Sequence, residues 1–218
     1  AVKAMILAAG RGERMKPLTD ATPKPLLCVA RRALIDYHID ALCTAGVREF
    51  VVNLSWLGER ISAHLGSGAD RGISIVYSEE GHPPLETGGG VLRALPLLGA
   101  APFWLVNGDI FCDYAFHAPV LGDGILAHLV LVANPDHNRA GDFSLEDGLV
   151  RNSPANRLTY SGIAVLDPKL LAGSAAGRFP LAPLLRTAAA GGRISGEIHA
   201  GVWSDVGTPE RLRALDSK

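Results

Sequence analysis

Strand-length apolar runs and stretches of helical spacing alternate through the first half of the chain. Residues 4–8, 50–53, 73–77 and 103–107 are short runs dominated by Ala, Val, Ile, Leu and aromatic side chains, the pattern of strands covered on both faces. Between the first two, residues 34–45 place Ile35, Ile39 and Leu42 on one face at helical spacing and stop at Gly46, a C-terminal cap. Residues 57–65 and 88–95 predict two more helices. Strands that alternate with helices build a mainly parallel sheet with helices packed on it. The second half changes character. Residues 126–133 and 160–166 read as longer strands, 183–190 and 209–215 as short helices, and the Gly/Ala-rich stretch 172–177 as a loop. No linker, internal repeat or low-complexity tract divides the chain, so its 218 residues predict one α/β domain with a mixed, mainly parallel sheet.

Composition narrows the function. Apolar residues make up 48% and the formal net charge is -1, which argues against disorder and against a polyanion such as nucleic acid as partner. Cys28, Cys43 and Cys112 are odd in number and form no Cys-x-x-Cys pair, as expected of free thiols in a reducing compartment. No apolar run approaches a membrane span and the first residues lack the pattern of a signal peptide, so the expectation is a cytoplasmic protein. No heptad repeat announces a second copy, which favours a monomer.

The candidate chemistry begins right after the first strand, at Ala8-Ala9-Gly10-Arg11-Gly12-Glu13-Arg14-Met15-Lys16-Pro17. Glycines let backbone N–H groups approach an anion, and an arginine adds a fork of donors suited to phosphate oxygens. The loop is not a Walker A sequence, because Met15 stands at its second glycine and Pro17 at its hydroxyl. Nor is it the dinucleotide fingerprint, whose third glycine also falls on Met15. By itself it is also compatible with an ordinary glycine turn. Pro23-Lys24-Pro25 changes the balance, since two prolines hold one cation in place at low entropic cost.

Strand, Gly-x-Gly-x-Arg loop and Lys-Pro segment, in this order, resemble the sugar-phosphate nucleotidyltransferase family. The resemblance runs through nearly the whole chain and is nearest to members that use UTP on cell-wall amino sugars in their recycling. It implies a Rossmann-like three-layer sandwich, the nucleotide-diphospho-sugar transferase fold, with residues 1–110 as a nucleotide-binding half and 111–218 as a sugar-binding half. It also implies that Arg14 and Lys24 stabilise the transferring phosphoryl group, with Ala9, Gly10, Gly12 and Glu13 around the nucleotide. Two departures stand out. Arg31-Arg32-Ala33 occupies a turn where the family has Gly and Pro, and Cys28 replaces a frequent Pro.

Asp109 closes the apolar run 103–107 at the strand's C-terminal end, where open α/β sheets bind ligands, and a hard oxygen donor there suits Mg²⁺. A second acid, Asp205, precedes a Pro-started helix. Singly, each can equally be a turn or cap residue; the resemblance places both on one magnesium ion. None of the seven histidines has a triad-like spacing, and none is required, because the acceptor phosphate is already largely a dianion at neutral pH.

Residues 79–90 follow the third strand. By resemblance this loop reads the nucleobase, through Glu80 and groups near Glu86, Thr87 and Gly88. A carboxylate at Glu80 can accept the N3–H of uracil or the N1–H of guanine, and Thr87 can instead cap a helix. Asn107 is a candidate for the sugar phosphate, and by resemblance Gly141, Asp142 and Asn152 are too. An N-acetylmuramate 1-phosphate acceptor carries a lactyl carboxylate, for which Arg139, Arg151 and Arg157 are candidates beside the reading that they are solvated. A glycosyltransferase is disfavoured because Asn107-Gly108-Asp109 lacks the first acid of an Asp-x-Asp motif.

Overall fold

β1 (Lys3–Leu7) runs through the middle of the protein, with its three central residues buried on both faces. The structure is a computed structural model and describes residues 1–217. After β1 the chain forms a short helix α1 (Leu18–Ala21), a hairpin of β2 (Cys28–Val29) and β3 (Arg32–Ala33), and helix α2 (Leu34–Thr44). It returns as β4 (Glu49–Leu54), crosses through α3 (Gly58–Leu65) to β5 (Ser74–Glu79), and comes back through α4 (Glu86–Leu98) to β6 (Phe103–Asn107) on the other side of β1. β5, β4, β1 and β6 are mutually parallel neighbours. The reversal of direction at β1 opens a crevice at the C-terminal ends of β1 and β6.

The remaining strands extend this sheet to nine, in the order β5-β4-β1-β6-β11-β8-β12-β10-β9. They are β8 (Ala127–Val132), β9 (Ser144–Glu146), β10 (Leu149–Arg151), β11 (Thr159–Leu166) and β12 (Ile194–Ile198). β11 lies antiparallel between β6 and β8, while β12 pairs parallel with β8. Apart from the sheet, β7 (Phe111–Cys112) and β13 (Trp203–Ser204) form a two-stranded ribbon, and α5 (Ala182–Ala190) and α6 (Pro209–Asp216) complete the chain. Side chains alternate along β1 into two cores. Ala4 and Ile6 pack with Ile35, Ile39 and Ile61 of α2 and α3; Met5 packs with Val91, Ala94 and Leu185 of α4 and α5. The result is the three-layer sandwich, with a mixed, mainly parallel sheet.

The expected strands and helices of the first half are present within two or three residues at each end. Five strands of the second half escape the hydrophobic pattern. β7 and β13 have two residues each, and β12 (Ile-Ser-Gly-Glu-Ile) is apolar only at its ends. β9 and β10 flank Asp147-Gly148, both in the left-handed region, which is a hairpin signal set between strands too short to show alternation.

His38 sits inside α2, buried, and its Nε2 lies 2.8 Å from the Ile110 carbonyl, next in sequence to Asp109. Burial lowers its pKa to about 4 against the opposing pull of that carbonyl and of Asp109. Between this value and the ordinary 6.5, the unfolded chain takes up a proton that the folded chain refuses. Stability is therefore full above pH 6.5 and falls as the pH drops toward 4, by on the order of 3 kcal/mol from this group. Denaturant midpoints across that range should show the slope, and His38→Gln, which keeps a donor for Ile110, should flatten it.

Ala30 and Arg31 form the two-residue turn of the β2–β3 hairpin with φ of 49° and 64°, a turn that favours Asn and Gly. Relief of the left-handed cost, less the entropy of glycine, leads to an expected gain of between about 0.5 and 1 kcal/mol for Arg31→Gly in a urea titration.

Candidate active site

The loop after β1 is tied down where it leaves the sheet. Ala8 N–H donates to Oδ1 of buried Asn53 on β4 at 2.6 Å, and Thr19 Oγ1 donates to the Gly12 carbonyl at 2.7 Å. Gly12 itself has φ of 69° and starts the single turn Glu13–Met15. The two loop arginines are used differently. Arg11 donates to Thr19 O and Asp20 and stacks on Trp56, 3.9 Å from its ring centroid. Arg14 makes no salt bridge among the described residues and faces a cavity of about 400 Å³. Ala9, Gly10, Gly12 and Glu13 line this cavity, together with Lys24, Glu80, Glu86, Thr87, Asn107 and Asp109 from four other segments.

Lys24 is the buried cation of the site. Its Nζ lies 2.9 Å from Asp109 Oδ2 and 3.4 Å from the Asp205 carbonyl oxygen, so one ammonium joins segments 181 residues apart. The ribbon sets the two acids beside each other. Trp203 pairs with Cys112 and Ser204 with Phe111, which places Asp205 just past one strand and Asp109 just before the other. The Asp205 carboxylate is held firmly: Arg211 Nη1 donates to Oδ1 at 2.7 Å, Gly207 N–H to the same oxygen at 3.2 Å, and His137 Nε2 stands 2.7 Å from Oδ2. Burial pushes this carboxyl upward, but Arg211, His137 and the Gly207 N–H together outweigh it and leave it below its usual range.

These residues fit a hard divalent cation. Asp109 accepts only one hydrogen bond among the described residues, at Oδ2, so Oδ1 is available, and its side chain is 42% exposed. Asp205 is not itself among the residues that line the cavity, although Gly207 is; both its oxygens are engaged, so it can offer Oδ2 only when His137 gives way.

Other expected residues are placed differently. Both Glu80 oxygens are engaged, Oε2 by Asn53 Nδ2 at 2.8 Å and Oε1 by Leu85 N–H at 2.9 Å, so Glu80 shapes the loop that reaches the cavity wall. Gly88 is buried against the Phe179 ring, outside the cavity lining. Thr87 does not cap α4; its Oγ1 accepts Leu181 N–H. Gly141, Asp142 and Asn152 also lie outside the lining. Gly141 packs on Arg157, Asp142 accepts from Asn138 and Tyr160 N–H, and Asn152 donates to the Arg186 carbonyl. Among the candidate arginines, Arg157 bonds to the backbone of Asn152 and Ser153, Arg139 pairs with Asp136, and Arg151 lies against Gly192. Sequence reading missed Asn53, His137, Gly207 and Arg211. Asn53 alone left a signal, a polar residue inside an apolar strand.

The nucleotidyl transferase family profile matches residues 3–122. N-acetylmuramate alpha-1-phosphate uridylyltransferase of Neisseria meningitidis serogroup B is 50% identical over 97% of this chain and 96% of that protein. The enzyme of the same name in Caulobacter vibrioides is 36% identical over 99% of this chain and 96% of its own. Among solved structures, HddC from Yersinia pseudotuberculosis, complexed with GMP-PN, superposes with a TM-score of 0.79 at 20% identity, covering all of this chain and 99% of that one.

A Cβ on Gly207 would collide with the Arg211 guanidinium, so the Arg211–Asp205 pair needs a residue without a side chain there. Gly207→Ala and Arg211→Ala should each cost about 2 kcal/mol, the scale of a charge-assisted hydrogen bond, and the double variant little more. Chemical denaturation of the three proteins checks this.

Proposed function

The chain belongs to the nucleotidyl transferase family, and we propose that it joins the uridylyl group of UTP to N-acetylmuramate 1-phosphate, giving UDP-N-acetylmuramate and pyrophosphate. The names of the two relatives support this donor and acceptor. The position of Lys24, pinned against Asp109 in the cavity that Arg14 also lines, supports these residues as the reacting centre. In this reading an oxygen of the acceptor phosphate attacks the α-phosphorus in line with the bond to the β-phosphate, and pyrophosphate leaves with the electron pair. No base is required, since the acceptor's second ionisation lies near pH 6. Arg14 and Lys24 supply the positive charge for the nonbridging oxygens, and the backbone of residues 9–12 holds the phosphates. A Mg²⁺ ion held by Asp109 and Asp205 would neutralise charge on the triphosphate and orient it.

Base recognition falls to groups near Glu86 and Thr87, with Glu80 and Gly88 acting through the shape of that loop. Asn107, beside Asp109, takes the sugar phosphate. Gly141 and Asp142 act on the sugar only through the segment that carries His137, to which Asn138 ties Asp142, and Asn152, bonded to the Arg186 carbonyl, lies apart from it. In this reading residues 1–110 form the nucleotide-binding half and 111–218 the sugar-binding half, which supplies Asp205. No described helix is long and apolar enough to cross a membrane, and we place the enzyme in the cytoplasm, acting in cell-wall sugar recycling.

Pyrophosphate release should be fastest with UTP, Mg²⁺ and N-acetylmuramate 1-phosphate in a panel that includes GTP, mannose and glucose 1-phosphates and phosphocholine. A better rate with another pair would replace the proposed substrates, and UTP binding without turnover would point to a noncatalytic subunit. Lys24→Ala is expected to lower the rate by about a hundred to a thousandfold, or roughly 3 to 4 kcal/mol, with the fold retained although the contacts to Asp109 and the Asp205 carbonyl are lost.

A further inference from the structure

The β7–β13 ribbon ends, on the side away from Asp109 and Asp205, in a second group of ligand-bearing side chains. Cys112 Sγ, a carboxylate oxygen of Asp113 and a ring nitrogen of His199 all lie within 4.8 Å of one another. They come from two segments 86 residues apart, and Asp113 Oδ1 stands 2.7 Å from His199 Nε2. The turn that follows His199 is fitted to this group. A Cβ on Gly201 would collide with Asp113 Oδ1 and stand 2.7 Å from His199 Cε1 and Nε2, so the backbone closes over both ligands because residue 201 has no side chain. Nothing in the transfer reaction uses these three residues.

We propose that Cys112, Asp113 and His199 form a zinc(II) site, with water in the fourth position. The donor set selects the metal: sulfur and imidazole suit a borderline-soft ion, whereas Mg²⁺ and Ca²⁺ take oxygen ligands. At zinc's bond lengths of about 2.0 to 2.3 Å, tetrahedral donors stand roughly 3.3 to 3.8 Å apart, so the spacing here closes with side-chain shifts of about an ångström. On binding, the zinc–sulfur bond replaces the thiol S–H bond and the proton passes to solvent. Burial raises the Cys112 thiol to about 11, so metal binding at neutral pH releases this proton, and the same burial argues against a reactive nucleophile.

The ion would act on the ribbon and not on the substrate. Asp113 N–H already donates to the Val202 carbonyl at 3.2 Å, and an ion at the same end would staple the two strands of the ribbon together. Because Asp205 and Asp109 leave that ribbon at its other end, the ion would fix their register without touching substrate.

Cobalt(II) is the probe, titrated into the intact protein after chelation, with excess Mg²⁺ present to fill any hard-oxygen site. The expected result is a sulfur-to-cobalt charge-transfer band that saturates at one equivalent, is displaced by zinc and disappears in Cys112→Ser. His199→Gln should weaken binding at least roughly tenfold, the lower end of what loss of an outer-shell partner costs. Zinc should also raise the melting temperature of the unsubstituted protein and not that of Cys112→Ser. No band, or a band that persists in Cys112→Ser because Cys28 or Cys43 supplies the sulfur, overturns the site. These readouts are independent of which substrates the enzyme takes.

Discussion

One buried ammonium organises the molecule's working end. Lys24 is 7% exposed, and a cation withdrawn from water to that degree must be met by negative charge and by oriented carbonyl groups. Asp109 and the Asp205 backbone meet it. Three segments that have no reason to be neighbours in sequence are therefore held together by a single charge. The Lys24–Leu26 turn, the end of β6 and the residue after β13 cannot separate without leaving that charge unpaired.

The same economy governs the acid that faces it. Asp205 has a guanidinium, a backbone N–H and an imidazole on its two oxygens, and Gly207 is small so that the guanidinium can reach. A carboxylate satisfied in this way stays ionised despite partial burial. Its partners come from α6 and from the loop after β8, so the site draws on almost every layer of the fold. The crevice supplied by the β1 reversal fixes where the cavity lies, and the charge pairs around it shape what it could hold.

The parallel half was legible because its strands are buried on both faces and read as continuous apolar runs, β1 and β6 most clearly. The glycine loop, Arg14, Lys24 and Asp109 could be read for a related reason: each sits directly after or between features with fixed backbone meaning, a strand end, a glycine pair, two prolines. The acceptor side was harder. β12 is parallel to β8 yet only its ends are apolar, and its Gly196 packs on Val150, a neighbour visible only in three dimensions. His137 and Arg211 were missed because their roles depend on where Asp205 lies, and no local spacing encodes that. Glu80 shows the reverse failure. Its chemistry was read as free for a base, while tertiary packing had already engaged both oxygens through Asn53 and the Leu85 N–H.

β11 has a mechanical consequence. It is bonded to β6 on one edge and, with a register shift between Tyr160 and Ile163, to β8 on the other, so the strands that frame the crevice and those beyond it belong to one sheet. A protein built from two lobes can swallow its ligand by bending at the waist; this one has no waist. Any closure over a ligand is left to the loops at the crevice, the turn before α4 and the segment bearing His137, because the stretch from Gly10 to Lys24 is anchored at Arg11, Thr19 and Lys24.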